Sequence, residues 1–274
     1  MMRIKPAVYF FALLILAGQS GAAFEELEIG VASQAMGGTG VVLFGAEMAL
    51  YNPAAIGGIG TRTITVSGRL PFSEIDFGTY GIDGAFHLIK RWNVGVNLRY
   101  FGGDLYSEQM AAVTLAGMLT DDMSFGLQPL FYRASIADGV SEYGSATAIA
   151  VNMGFQVRMY NRWLLAAAVR NPFQARLGES SEYLRRRIDV GLRYEPATSM
   201  ISALTFSRDF NGMRIHVGQS LPLGFVTILA GAQSNPVTVS GGLDASIAGI
   251  ALKYAVITHP QLDLTHQFGV TYDF

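Results

Sequence analysis

The sequence predicts an all-β fold: a transmembrane antiparallel β-barrel of about 14 strands with an N-terminal plug. Three observations carry this. From about Thr61 onward the side chains alternate with a period of two rather than 3.6. The 274 residues are half apolar and only 15% charged, with a mean hydropathy of +0.32. Yet past the N-terminus no stretch reaches the ~20 consecutive apolar residues of a helical span. Finally, short and longer connections alternate along the chain, the arrangement of outer-membrane barrels.

Residues 1–23 come first. Arg3 and Lys5 precede an apolar run from Ala7 to Gly18, and small residues, Gly21-Ala22-Ala23, close the segment. A basic start, a short apolar core and a small-residue cut site read as a secretory signal peptide, with cleavage near Ala23-Phe24. Removal takes two of the 19 basic residues and none of the 21 acidic ones, so no basic surplus remains to attract nucleic acid. The chain is exported yet holds no cysteine, so stability must come from pairing and packing.

Residues 24–60 do not alternate. Small residues crowd around Gly37, Gly38 and Gly40, a helical turn is expected near Ala46 to Leu50, and Asn52-Pro53 marks a turn or helix stop. A phosphate loop is disfavoured, because Leu43 stands where the dinucleotide fingerprint needs glycine and no Gly-Lys-Ser/Thr occurs. So apolar a segment, attached to a barrel, is expected inside it.

Residues 61–274 form the barrel. Strands are expected to begin near Thr63, Tyr80, Trp92, Met110, Asp122, Tyr143, Arg162, Tyr183, Met200, Met213, Gly224, Pro236, Ile247 and Leu262, each of about 9–11 residues. Val94, Val96, Leu98 and Tyr100 alternate with Asn93, Gly95, Asn97 and Arg99, for example. The apolar face suits either a second sheet or lipid. Aromatics at segment ends, including Trp92, Tyr100, Tyr160, Trp163 and Tyr194, favour lipid, where they form interfacial girdles. The last segment alternates through Phe268, Val270, Tyr272 and Phe274 and ends on an aromatic. It resembles the C-terminal signal read by the barrel-insertion machinery.

Two runs then carry a family resemblance: Ala35-Met36-Gly37-Gly38-Thr39-Gly40 and Ala49-Leu50-Tyr51-Asn52-Pro53-Ala54. They resemble the start of the long-chain fatty-acid transporter (FadL) superfamily and its PorV/PorQ relatives of the type IX secretion system. His259-Pro260-Gln261-Leu262 and Thr265-His266 look more like the PorV/PorQ branch. The resemblance implies a bacterial outer-membrane barrel of fourteen strands plugged by a hatch, with Gly37, Gly38, Gly40, Tyr51, Asn52, Pro53 and Ala54 in the hatch motif. It also implies a conduit for small hydrophobic molecules or, alternatively, a scaffold binding exported proteins. The fatty-acid transporters carry extended loops that make an apolar capture groove. The longest loops here, residues 134–142 and 171–182, are modest and polar.

Enzyme chemistry is not expected. The four histidines form no metal-binding or nucleophile-base spacing, so no metal or cofactor is implied. Inward parity falls on Arg69, Asp83, Arg99, Arg158, Arg187, Asp189, Arg193, Arg214 and Lys253. These charges either guide an anionic group through the lumen or tie hatch to wall as compensated pairs. Arg185-Arg186-Arg187, at a strand start, would meet lipid phosphates or solvent. The expected partners are outer-membrane lipid, the insertion machinery and a small hydrophobic ligand or an exported protein, with the barrel itself a monomer. A polar porin is disfavoured because the hatch would block bulk water.

Overall fold

The computed structural model describes Phe24 and residues 27–137, 142–179, 182–197 and 199–274. The expected signal peptide lies outside the described residues. Fourteen antiparallel strands run in chain order around a closed barrel, β1 pairing with β14. They are β1 Thr63–Leu70, β2 Thr79–Ile89, β3 Trp92–Gly102, β4 Tyr106–Met118, β5 Met123–Ala137, β6 Glu142–Met159 and β7 Trp163–Arg170. After the longest connection come β8 Arg187–Tyr194, β9 Ile201–Asp209, β10 Gly212–Leu223, β11 Val226–Gln233, β12 Thr238–Ile247, β13 Ile250–Ile257 and β14 Thr265–Asp273. No helix among the described residues is long and apolar enough to cross a membrane.

Alternation dictates this wall. Each strand turns at least one large apolar side chain outward: Val66, Ile82, Leu98, Val113, Leu127, Ile149, Leu165, Val190, Phe206, Val217, Ile228, Leu243, Leu252 and Val270 are all exposed. The alternating partners Thr65, Asp83, Asn97, Gln128, Asn152, Asp189, Ser207, Ser240 and Gln267 are buried. A soluble protein rarely exposes an apolar patch beyond a few hundred Å². An apolar ring around a polar interior is the distribution that lipid demands. Phe268, Val270, Tyr272 and Phe274 stand in this outer ring, and Trp163 stacks on Tyr194 at a ring centroid distance of 4.4 Å.

One end of the barrel carries tight turns and both ends of the sheet, the start of β1 and the close of β14. Ala248 and Gly249, both left-handed at φ 51° and 82°, make one such two-residue hairpin. The other end carries the longer loops. Four strands exceed the expected length: β10 by one residue, at 12, and β4, β5 and β6, which run 13, 15 and 18 residues and rise together at the loop end. Beside them the β7–β8 connection, residues 171–186, pairs Arg176 with Tyr183 and buries Leu177 and Leu184. Within the loop expected at residues 171–182, Leu177 turns into the apolar cluster that also takes Leu184, just beyond it.

The hatch fills that lumen. It comprises α1 (Val31–Ala35) and three 3-10 turns, Gly40–Val42, Ala46–Leu50 and Pro53–Ile56. Ile29, Val31, Met36, Val42, Met48 and Ile56 are each at most 1% exposed. The barrel therefore has an apolar core made by the hatch and a second apolar surface made by its outer face.

Candidate functional site

Hatch and wall meet through backbone. In β5 and β6, Gly126 pairs with Gly154; in β10 and β11, Gly218 pairs with Gly231. A Cβ on Gly126 or Gly154 would strike Asn52, Pro53 or Ala54, and one on Gly218 or Gly231 would strike Met36 or Gly37. The two hatch motifs therefore rest on cross-strand glycine pairs, which let the chain approach as no other residue would. Gly37 itself is left-handed at φ 68°.

A five-residue helix and short 3-10 turns satisfy few of their own backbone groups, so wall side chains supply the partners. Ser240 Oγ accepts from Gly37 N at 3.1 Å and donates to Ala35 O at 3.0 Å. His216 Nδ1 donates to Gly37 O at 2.7 Å. Asn93 Nδ2 donates to Ile56 O at 2.7 Å, Asn97 Nδ2 to Ala46 O at 3.0 Å, and Gln156 Nε2 to Val41 O at 3.2 Å. Within the hatch, Asn52 Oδ1 accepts from Ala54 N at 3.0 Å while its Nδ2 donates to Val41 O at 3.0 Å. Asn52 thus caps the Pro53–Ile56 turn and ties it to the Gly40–Val42 turn. The Tyr51 hydroxyl accepts from Gly30 N and Gln34 Nε2, each at 3.2 Å, and burial pushes its pKa above the ordinary value.

The nine inward charges fall into separate groups rather than one track. Asp83 and Arg99 form a fully buried pair at 2.7 Å, and Arg99 Nε donates to Leu27 O at 3.1 Å. Arg187 meets Asp189 at 2.9 Å, Arg170 meets the same carboxylate at 2.8 Å, and both guanidiniums also pair with Glu28 of the hatch. Lys253 meets Glu47 at 3.1 Å. Arg158 and Arg193 share Glu195 at the turn end, and Arg193 also lies 5.1 Å over the Phe44 ring. Arg69 and Arg214 line a polar crevice of about 330 Å³ at the loop end, where Arg214 pairs with Asp209 at 3.2 Å. Arg185 also turns onto Asp209, and Arg187 is buried, so two of the three consecutive arginines face inward rather than toward lipid.

Sequence reasoning missed Glu28, Glu47 and Arg170, whose partners lie far away in the chain. It also missed a belt of amides around the inner wall. Asn97 Nδ2 donates to Asp83 at 2.6 Å, Gln128 Nε2 to Asn97 Oδ1 at 3.2 Å, and Asn152 Nδ2 to Gln128 Oε1 at 2.9 Å. Polar residues at alternate positions were the available signal.

Ser207, His216 and Asp189 come together, each at most 3% exposed. Ser207 Oγ donates to Asp189 at 2.5 Å and lies 2.9 Å from His216 Nε2, whose other ring nitrogen is taken by Gly37 O. A serine nucleophile needs the carboxylate to orient the imidazole. Here the carboxylate holds the serine, and the trio anchors the hatch.

At the loop end, Phe24, Leu27 and Leu50 of the hatch, Met110, Leu130 and Tyr132 of the wall and Leu184 of the β7–β8 loop form one side of a small pocket of about 60 Å³, whose other side is polar, with Glu28, Arg170, Arg185 and Arg187. A wider groove of about 730 Å³, lined by Phe101, Tyr106, Glu108, Ala134, Ile136, Leu177 and Glu182, flanks the same apolar cluster. At the turn end Phe44, Ile59, Met118, Gln156 and Leu164 line a cavity of about 470 Å³. Buried hatch residues lie between the two ends.

The sequence matches no protein-family model and no curated protein. The fold is similar to that of solved channels. The Ralstonia pickettii toluene transporter TbuX superposes with a TM-score of 0.68 at 11% identity, covering 91% of this chain and 99% of that one. The Pseudomonas putida toluene transporter TodX gives 0.67 at 12%, covering 94% and 99%. A Pseudomonas aeruginosa FadL homologue gives 0.67 at 12%, covering 89% and 98%. At these identities the likeness establishes the shared barrel architecture.

Proposed function

We propose that the chain is an outer-membrane conduit of the fatty-acid-transporter type that passes small hydrophobic molecules. The carrying observation is the loop-end groove of about 730 Å³, where Phe101, Ala134, Ile136 and Leu177 stand against the apolar cluster that hatch, wall and loop build jointly. Apolar pockets with a few polar groups suit uncharged or weakly polar ligands of modest size. The similarity to two toluene transporters and a FadL homologue supports the same reading. The tight-turn end, which holds both sheet termini, faces the periplasm and the loop end faces outward. The chain acts as a monomer, since closure leaves no strand edge to share.

Assignment to the PorV/PorQ branch rests on the sequence resemblance alone, and among the described residues no feature of the mouth favours a protein cargo. The test is uptake of labelled toluene by cells that lack other hydrocarbon channels. Expression of the protein is expected to raise the rate, and Ala134→Arg, which places a long charged side chain across the groove, is expected to abolish the gain. Equal uptake with and without the protein would overturn the proposal.

A further inference from the structure

We propose that the turn-end cavity binds a small apolar molecule bearing one hydroxyl, which donates to Gln156 Oε1. The cavity, of about 470 Å³, lies across the buried hatch from the loop-end groove. Four parts of the chain supply its apolar sides: Phe44 of the hatch, Ile59 of the segment leading to β1, Met118 at the end of β4 and Leu164 near the start of β7. Phe44 is 39% exposed and Arg193 lies 5.1 Å over its ring, which braces the aromatic at the opening. An apolar cavity of about 150 Å³ suffices for benzene, so a substituted ring or a short chain has room here.

The polar wall sets the chemistry of the ligand. Gln156 and Ser124 are cross-strand partners on β6 and β5, 1% and 5% exposed, and both line the cavity. Gln156 Nε2 donates to Val41 O at 3.2 Å, and a carbonyl only accepts, so the amide cannot be turned round. Its Oε1 then has no hydrogen-bond partner among the described residues. Ser124 Oγ directs its own proton to Ala54 O at 3.2 Å and supplies no donor. So buried an acceptor is costly without a donor, and a ligand hydroxyl provides one. An anion fits less well. The lining carries Asp121 and Asp122, and the guanidinium of Arg158 already meets Glu195 at 3.6 Å.

Equilibrium binding reads this site independently of uptake, so the failure of one proposal leaves the other standing. The experiment uses the full-length protein purified from outer membranes and held in lipid nanodiscs. A photoreactive diazirine phenol is crosslinked to it, and the labelled peptides are identified by mass spectrometry. Label is expected between Phe44 and Ile59 or on Met118; label confined to other segments overturns the site.

Competitors at matched free concentration then test the hydroxyl. Phenol should suppress that label at least about fivefold more effectively than toluene, which is of similar size and has no donor. Anisole, whose oxygen only accepts, should compete no better than toluene. Equal potency of phenol with either one overturns the contact. In Gln156→Met, phenol should fall to the potency of toluene while toluene keeps its own; an equal loss for both marks a structural role and overturns the assignment. Should Gln156→Met fail to insert, Phe44→Ala alters an exposed position and should weaken phenol and toluene alike by at least about threefold. Undiminished competition in that variant overturns the site.

Discussion

Substituting Gly231 by alanine tests whether the hatch is held by close backbone approach. The added Cβ would fall on the Met36 carbonyl carbon and the Gly37 nitrogen, inside any normal contact distance, and both are backbone atoms that cannot rotate away. The hatch must move off β10 and β11 instead. That displacement strains the Ser240 bonds to Gly37 and Ala35 and the His216 bond to Gly37. Overpacking a well-filled site typically costs about 1–3 kcal/mol, which multiplies the undocked population by roughly 5 to 150. In planar bilayers the wild type should be almost always closed, and Gly231→Ala should open correspondingly more often. Gly144→Ala is the control, because nothing lies within 4 Å of its added Cβ. If Gly231→Ala gates like Gly144→Ala, the glycine pairs do not hold the hatch and the reasoning fails.

Other perturbations follow from the same contacts. Lys253→Met strands Glu47, which is 2% exposed, and should cost about 3–5 kcal/mol; adding Glu47→Leu should recover most of it, read as the urea midpoint of heat-modifiable gel mobility. Asn52→Ala removes the Ala54 cap and should cost about 1–2 kcal/mol. Asn52→Asp should do more damage, because a carboxylate would face the Val41 carbonyl, and hydrogen exchange at the Ala54 amide orders the two variants. Phe274→Ala should lower the fraction of assembled, heat-modifiable barrel without changing the melting of what assembles, if that ring serves insertion rather than packing; an unaltered assembled fraction would count against the insertion signal.

Much of the wall could be read because its signal is local. Every expected strand start falls within four residues of an observed one, and Thr63 and Trp92 coincide with it. The largest gaps have physical causes. The stretch Tyr106-Ser107-Glu108-Gln109 looks like a loop, yet it pairs with the upper part of β5. Tyr183 makes only one bridge, inside the loop, and β8 starts at Arg187. In β7, apolar Leu164, Ala166 and Ala168 alternate with apolar Leu165, Ala167 and Val169, so no parity marks the inner face or predicts that Arg170 reaches Glu28. The glycine pairs were invisible for a different reason: Gly126 and Gly154 become a pair only once the register between strands is fixed. The hatch glycines could be seen in sequence, whereas the wall glycines that receive them could not.

On the conduit reading, the barrier to passage lies in a short piece of chain. Leu50 forms part of the mouth pocket and Phe44 part of the turn-end cavity, so the chain between them spans the separation. That piece contains the 3-10 turn Ala46–Leu50, held to the wall by the Glu47–Lys253 pair and by Asn97 on Ala46 O. The Asn52–Ala54 motif, clamped over the Gly126–Gly154 pair, is the poorer candidate for movement, because shifting it would strand Asn52 and the Ala54 amide together. Lys253→Met therefore separates two roles for the turn. If the turn is the gate, toluene uptake should rise as stability falls. If molecules travel elsewhere, uptake should stay level or decline with the amount of folded barrel, and the turn is a structural brace only.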